Sequence, residues 1–253
     1  MNTTDQPSRS AGAKPTVVLV HGAFADGSSW NGVTERLQRQ GYPVVAPANP
    51  LRGVTADSAY TASLVGQIDG PVLLAGHSYG GAVISNAATS APNVVGLVFV
   101  AAFAPDEGER LGEVAGESKD SILGPAQVQY RYPAGPGGET AVEFGVDPAR
   151  LRDVFAADLP AEQAALLAAT QRPVAAAAFT DVCGPAAWKK LPCWAVVATG
   201  DKAAGTDITR SMAERAGAEI TELDGSHVIM VSQPQAVADV IVKAAEAVAA
   251  ARG

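Results

Sequence analysis

The sequence predicts an α/β protein with a mostly parallel sheet of about six strands and helices on both faces. Two features of the chain support this class. Short runs rich in β-branched residues alternate with stretches in which apolar residues recur at helical spacing. Several of these runs, such as residues 94–101, are apolar almost throughout, as expected for strands that helices cover on both faces.

The first part of the chain repeats this alternation. Strands are predicted at residues 16–20, 43–46, 72–75 and 94–101. The helices between them are predicted to begin near residue 30, at residue 55 and at residue 79. Trp30 is expected in the core, and Gly41 is typical of the position just past a helix C-terminus. Thr55 or Asp57 is the expected N-cap of the second helix.

The alternation stops between residues 105 and 191, where no clear strand is predicted. This segment has a Gly/Pro-rich stretch at 133–138 and two Ala-rich helix candidates, at 147–157 and 161–170. Strands then resume at 193–199 and 218–223, with helices at 206–216 and over the apolar positions 237–248. We therefore expect a core of residues 16–105 and 192–253, an inserted helical cap at 106–191 and a disordered tail at 1–15.

Charge and composition argue against several classes of partner. The chain carries 18 basic and 26 acidic residues, a net charge of −8, and an acidic surface repels both nucleic acid and anionic membranes. No apolar run reaches the roughly 20 residues that a membrane-spanning helix needs. The N-terminus lacks the apolar stretch of a secretory signal. Cys183 and Cys193 are expected as free thiols, and a cytoplasmic location is the default expectation.

The turn after the third predicted strand carries the first chemical motif. Residues 76–80 read G-H-S-Y-G between a predicted strand and a predicted helix, the setting of a nucleophile elbow. Gly76 and Gly80 would let the strand and the helix approach closely, which leaves Ser78 exposed on a tight turn as the nucleophile. The backbone N–H of Tyr79, at the helix N-terminus, would face developing negative charge.

The turn after the first strand supplies a second donor. It reads His21-Gly22-Ala23-Phe24, and the backbone N–H of Ala23 would point into the site. His21 is expected to brace this loop through hydrogen bonds.

The base is expected in the loop after the last strand. The chain has three histidines, and His is the side chain whose ordinary pKa lies near neutral pH. His77 should point away from its neighbour Ser78, which leaves His227 as the general base.

A buried carboxylate should orient that base, and Asp201, after the strand that follows the insertion, is the leading candidate. The chain order is then Ser, Asp, His. Other acidic residues remain candidates for this orienting role. Asp207 would cap the next helix, Asp224 shares the loop of His227, and the pair Asp106 and Glu107 follows the strand before the insertion.

These motifs resemble those of the α/β-hydrolase superfamily. The resemblance is closest to the branch of methylsalicylate-type esterases and hydroxynitrile lyases, with its bacterial serine esterase relatives. It rests on the stretches V-L-V-H-G-A (18–23), G-H-S-Y-G-G (76–81), D-K (201–202) and H-V-I-M-V-S-Q-P (227–234). The resemblance implies Ser78 as nucleophile, Asp201 as orienting acid, His227 as base, and an oxyanion hole from the N–H groups of Ala23 and Tyr79.

Two positions depart from the lyases of that branch, which carry a threonine after the first-strand histidine and a lysine after the catalytic histidine. Here these positions hold Gly22 and Val228. Lys202, the other cation nearby in sequence, is expected to point to solvent. The sequence therefore favours esterase activity over lyase activity.

The predicted function is hydrolysis of small to medium, mostly apolar carboxylic esters through an acyl-enzyme, without metal or cofactor. The expected pocket wall is apolar, made of Phe24, Phe103, Phe179, Val228 and Met230. Action on a lactone, thioester or amide, perhydrolysis, and a non-catalytic ligand-binding role stay open, as does a homodimer.

Overall fold

The computed structural model describes residues 14–252, so the predicted tail at 1–15 falls almost wholly outside the described residues. Six parallel strands form the central sheet: β1 (Thr16–Val20), β2 (Val44–Val45), β3 (Val72–His77), β4 (Val94–Val100), β8 (Cys193–Ala198) and β9 (Glu219–Leu223). Their order is β2-β1-β3-β4-β8-β9. The register pairs Val20 with Gly76 and Val100 with Val196, so the carboxyl ends of the strands lie at one edge.

Helices cover both faces of this sheet, as the sequence predicts for buried parallel strands. Every residue of β3 and β8 is buried. The helices of the core are α1 (Asn31–Arg39), α2 (Val54–Val65), α3 (Tyr79–Ala87), α8 (Thr206–Arg215), α9 (Ile229–Ser232) and α10 (Pro234–Ala250). Trp30 is fully buried in the core, as expected. Between residues 14 and 252, no helix is long and apolar enough to cross a membrane.

Residues 106–191, which we call the cap segment or cap, are not purely helical, so the prediction that this insertion is helical is wrong. That it covers the site stays a prediction. Four helices are present: α4 (Leu111–Gly116), α5 (Pro148–Phe155), α6 (Ala161–Thr170) and α7 (Ala177–Thr180). A three-stranded antiparallel sheet lies among them: β5 (Gln127–Pro133), β6 (Thr140–Val146) and β7 (Val174–Ala175). The Gly/Pro-rich stretch is the turn of the β5–β6 hairpin, where Gly138 has φ +82°.

The N-cap of α2 also differs from expectation. Gly53 is the N-cap, and no side chain caps the helix. The carboxylate of Asp57 instead accepts hydrogen bonds from the backbone N–H of Arg52 and the hydroxyl of Tyr79.

Candidate active site

Ser78 lies on a strained turn between β3 and α3. Its backbone has φ +53° and ψ −123°, a region that residues other than glycine rarely adopt. Hydrogen bonds hold the turn: the N–H of Ser78 donates to Val100 O at 3.2 Å, and Ser78 O accepts from the N–H groups of Gly81 and Phe103. The strain and the position at the strand end are those of a nucleophile elbow.

Glycine is required on both sides of this turn. A Cβ added to Gly76 would lie 2.6 Å from Gly80 O, and one added to Gly80 would lie 2.5 Å from Val20 O. Both distances are far below van der Waals contact. Glycine at position 76 therefore lets β3 approach α3, and glycine at position 80 lets α3 approach β1.

The loop after β1 lies directly against the elbow. A Cβ added to Gly22 would stand 2.7 Å from the Cβ of Ser78. Next to it, Phe24 has φ +60°. Among residues 14–252, neither the N–H of Ala23 nor that of Tyr79 donates to another protein group. An oxyanion hole needs donors of this kind, and the assignment of this role to these two N–H groups stays a prediction.

His21 braces this loop, as expected. Its Nε2 accepts a hydrogen bond from the backbone N–H of Asn49 at 2.9 Å, and its Nδ1 lies 2.9 Å from Gly22 O. Since Nε2 accepts, the proton is on Nδ1, which donates to that carbonyl. Burial lowers the pKa of His21 below its ordinary value. Asn49, which also donates to His21 O, is a brace that sequence reasoning missed.

His227 and Asp201 form a buried pair. His227 Nδ1 donates to Asp201 Oδ2 at 2.8 Å, and both side chains are almost fully buried. The other carboxylate oxygen, Oδ1, accepts the N–H groups of Ala203 and Ala204 at 2.9 and 3.0 Å. With the proton held on Nδ1, the Nε2 of His227 is left as the proton acceptor.

The rival acids have other partners. Asp106 pairs with Lys189 at 2.5 Å. Asp207 accepts a hydrogen bond from Ser118, and Asp224 accepts one from Thr199. Asp201 is therefore the carboxylate that the described structure brings to the imidazole.

The side chain of His77 contacts His227. Its Nε2 donates to the backbone carbonyl of His227 at 3.0 Å, and the two rings lie 4.6 Å apart between centroids. Burial lowers the pKa of His77 well below its ordinary value, so the ring beside the base is neutral. The contact ties the elbow to the base loop, which sequence reasoning did not foresee.

The cap contributes Phe155, at the end of α5, to the same cluster of rings. Its ring centroid lies 4.8 Å from that of His227, and 6.1 Å from that of Phe24. Phe155 falls inside a predicted cap helix, but no local pattern distinguishes a residue that reaches the core from one that stays within the cap.

The predicted wall residues have different surroundings. Phe103 is buried and donates its N–H to Ser78 O. Val228 and Met230, one and three residues after His227, are buried. Phe179 is half-buried and packs edge-on against Phe144 of the cap hairpin, at 6.2 Å. Their contact with a substrate stays a prediction. In residues 14–252, no three His, Cys, Asp or Glu side chains gather as a metal site would require.

Similar proteins of known sequence cover part of the chain. A carbendazim hydrolyzing esterase of Nocardioides sp. is 33% identical over 107 residues, 37% of this chain and 44% of that protein. A pyrethroid hydrolase of Sphingobium wenxiniae is 31% identical over 162 residues, 58% of this chain and 56% of that protein. The matches thus span about half the length of these relatives.

Solved structures match almost the whole chain. Polyneuridine aldehyde esterase superposes with a TM-score of 0.77 at 20% identity, over 92% of this chain and 99% of that one. Tomato methylketone synthase I gives 0.76 at 22% identity, over 93% and 99%. At such identities the likeness shows a shared fold. The model of the alpha/beta hydrolase family matches residues 17–240, and the chain belongs to that family.

Proposed function

We propose that this protein is a serine hydrolase of the carboxylesterase type, with Ser78, His227 and Asp201 as its triad. The observation that carries the proposal is the buried His227–Asp201 pair at 2.8 Å, at the sheet edge where Ser78 occupies its strained turn. The names of two relatives, an esterase and a hydrolase, agree with this activity.

In the proposed reaction His227 is the base, because its Nδ1 donates to Asp201 and leaves Nε2 to accept a proton. His227 Nε2 takes the proton of the Ser78 hydroxyl while Oγ attacks the ester carbonyl carbon. The carbonyl oxygen becomes an oxyanion, stabilised by the N–H groups of Ala23 and Tyr79, each donor worth roughly 10²–10³-fold in rate. The imidazolium then protonates the departing alcohol oxygen as the C–O bond breaks. Water, deprotonated by His227, releases the acid from Ser78.

The surroundings of the site favour apolar, ring-bearing esters. The ring of Phe155 packs against His227, and the ring of Phe24 packs against Phe155. Apolar walls with few polar groups are typical of sites for such ligands. The names of two relatives suggest including carbendazim and a pyrethroid among the substrates tested.

Cyanohydrin cleavage is not proposed, because the departing cyanide needs a cation in a dry pocket. Val228 follows the base, and Lys202 is exposed. Incubation with mandelonitrile at mildly acidic pH should release no more benzaldehyde than the Ser78→Ala variant does. Enzyme-dependent release comparable to the best ester rate would contradict this expectation and make Lys202 the first residue to mutate.

The proposal is tested with a series of p-nitrophenyl esters of increasing acyl length, together with aryl and methyl esters of bulky acids. Ser78→Ala should abolish turnover. Ser85→Ala is the matched control, because Ser85 lies buried on the same helix and its hydroxyl has no partner among the described residues. Turnover by Ser78→Ala above about a tenth of the wild-type rate would identify another nucleophile.

A further inference from the structure

A carboxylate of the cap contacts the residue that precedes the base. Asp158 follows α5, and its Oδ2 accepts the backbone N–H of Ser226 at 3.0 Å. Its Oδ1 accepts the hydroxyl of the same serine. Both hydrogen bonds therefore join the cap to the loop of His227. Ser226 itself is buried.

Gly225 makes this approach possible. A Cβ at Gly225 would lie 2.8 Å from Asp158 Oδ2. The same glycine accepts, through its carbonyl, the N–H of Gly200 at 2.9 Å, beside Asp201. The loop before His227 is thus held from two sides, by the turn that carries the acid and by the cap.

The same part of the cap also touches the base side chain. Phe155, three residues before Asp158, packs against the imidazole at 4.8 Å between centroids, with the ring planes at 61°. The backbone before His227 and the ring of His227 are therefore both restrained by residues 155–158. Burial raises the pKa of Asp158, but the hydrogen bonds from Ser226, from the side chain of Ser232 and from the backbone N–H of Asp158 together outweigh it. The pKa therefore lies below its ordinary value, and the group is a carboxylate at neutral pH.

We propose that Asp158 is a positioning residue, which fixes the backbone of Ser226 and so aims the imidazole of His227 at Ser78. This rests on the proposed function. The cap therefore orients the base: His227 has its catalytic orientation only while the cap contacts the loop that precedes this histidine.

The test is a double-mutant cycle on Asp158→Ala and Ser226→Ala. For each variant, kcat and KM for a p-nitrophenyl ester and the rate constant of inactivation by an active-site phosphonate are measured, per titrated active site. Asp158→Ala should lower kcat and the inactivation rate roughly tenfold to a hundredfold, the range expected of a misplaced catalytic group. KM should stay within about twofold, because no substrate contact is removed.

Ser226→Ala should have a smaller effect, because the N–H that donates to Asp158 remains. The double variant should be no slower than Asp158→Ala, because both changes disrupt the same contact between Asp158 and Ser226. Glu143→Gln is the matched control: Glu143 joins the cap to Arg52 of the core at 2.7 Å, away from the loop of His227, and its loss should leave kcat unchanged.

Three results would overturn the proposal: a kcat of Asp158→Ala within about twofold of wild type, an equal loss in Glu143→Gln, or additive losses in the double variant. If Asp158→Ala does not fold, Ser226→Ala and Asp158→Asn provide the same comparison. If the wild-type protein neither hydrolyses esters nor reacts with the phosphonate, the proposed function is refuted. If the wild type is active and Asp158→Ala is equally active, only the role of Asp158 is refuted.

Discussion

The two sides of the candidate site are held in place by different forces. On the acid–base side, Asp201 accepts three hydrogen bonds and His227 is fixed through its Nδ1. On the nucleophile side, the backbone of Ser78 has a positive φ, and the position of its turn depends on Gly76 and Gly80, which pack closely against backbone carbonyl groups. Polar substitutions should therefore reduce activity on the first side with little effect on the fold, whereas one added methyl group should destabilise the fold on the second.

Asp201→Asn should have the largest effect on the acid–base side. The amide oxygen should take the place of Oδ1, which accepts the N–H groups of Ala203 and Ala204, so the NH2 group faces His227 and donates to Nδ1. The proton of the imidazole then moves to Nε2, which can no longer act as the base, and such a change lowers kcat by about 10⁴ in a well-studied triad. Thermal unfolding should change little. Asp106→Asn is the control, since Asp106 pairs with Lys189. If the control lost the activity and Asp201→Asn kept it, the assignment of the acid would be wrong.

Gly80→Ala should have the largest effect on the nucleophile side. Its new Cβ would lie 2.5 Å from Val20 O, a backbone atom that cannot move alone, and overpacking of this kind costs about 1–3 kcal/mol or more. Urea unfolding should show the loss. Gly116→Ala, at the end of α4 with no heavy atom within 4 Å, should instead gain about 0.5–1 kcal/mol. Equal urea midpoints of unfolding for the two variants would contradict the claim that position 80 has no room for a side chain.

Tyr79→Phe should have a smaller effect. The hydroxyl of Tyr79 donates to the buried carboxylate of Asp57 at 2.7 Å, and removing one partner of a buried pair costs about 1–3 kcal/mol. The N–H of Tyr79 is retained, so kcat should fall much less than in Asp201→Asn. Calorimetry and ester turnover on the same preparation separate the two effects. A kcat loss without a stability loss would point to a direct role of the hydroxyl.

The smallest expected effect is a pH dependence from Asp57. Burial raises the pKa of Asp57 above its ordinary value, although hydrogen bonds from Tyr79 and from backbone N–H groups oppose the shift. Between the unfolded and folded pKa values the folded state binds more protons, so this group's contribution to the free energy of unfolding falls as pH rises through that window.

Asp57→Asn removes that dependence. Its free energy of unfolding, relative to wild type, should therefore increase as pH rises from the ordinary aspartate pKa of about 4. Urea unfolding at a series of pH values measures the difference, with the exposed Asp69→Asn as control. Parallel pH curves for wild type and Asp57→Asn would show that the carboxyl is not perturbed in the fold.

Predictability from sequence also differs between the regions. Five of the six core strands could be predicted because each lies in a short apolar run next to a turn, whereas the edge strand β9 is mostly polar. The candidate triad could be predicted because parallel strands end at one edge. The cap hairpin was missed although residues 127–132 alternate polar and apolar side chains. Its strands are half-exposed, so the run is not continuously apolar.

The missed site residues share one physical reason. Phe155 and Asp158 act on a loop about 70 residues further along the chain, and Asn49 contacts His21 from the turn after β2. No local spacing encodes such contacts, because they depend on how the cap and the loops are seated. The geometry of a motif within a single turn, such as residues 76–80, depends on residues adjacent in the chain, so such a motif can be recognised from the sequence.

The central claim is that Ser78 is the nucleophile, and labelling tests it most directly. The protein is treated with an active-site phosphonate, digested and analysed by mass spectrometry, while ester hydrolysis is followed in parallel. If Ser78 is the nucleophile, one phosphonyl group per chain should be found, on Ser78, with hydrolysis lost in proportion to labelling and no adduct in Ser78→Ala. An adduct on another residue, or full hydrolysis by a fully labelled protein, would contradict it.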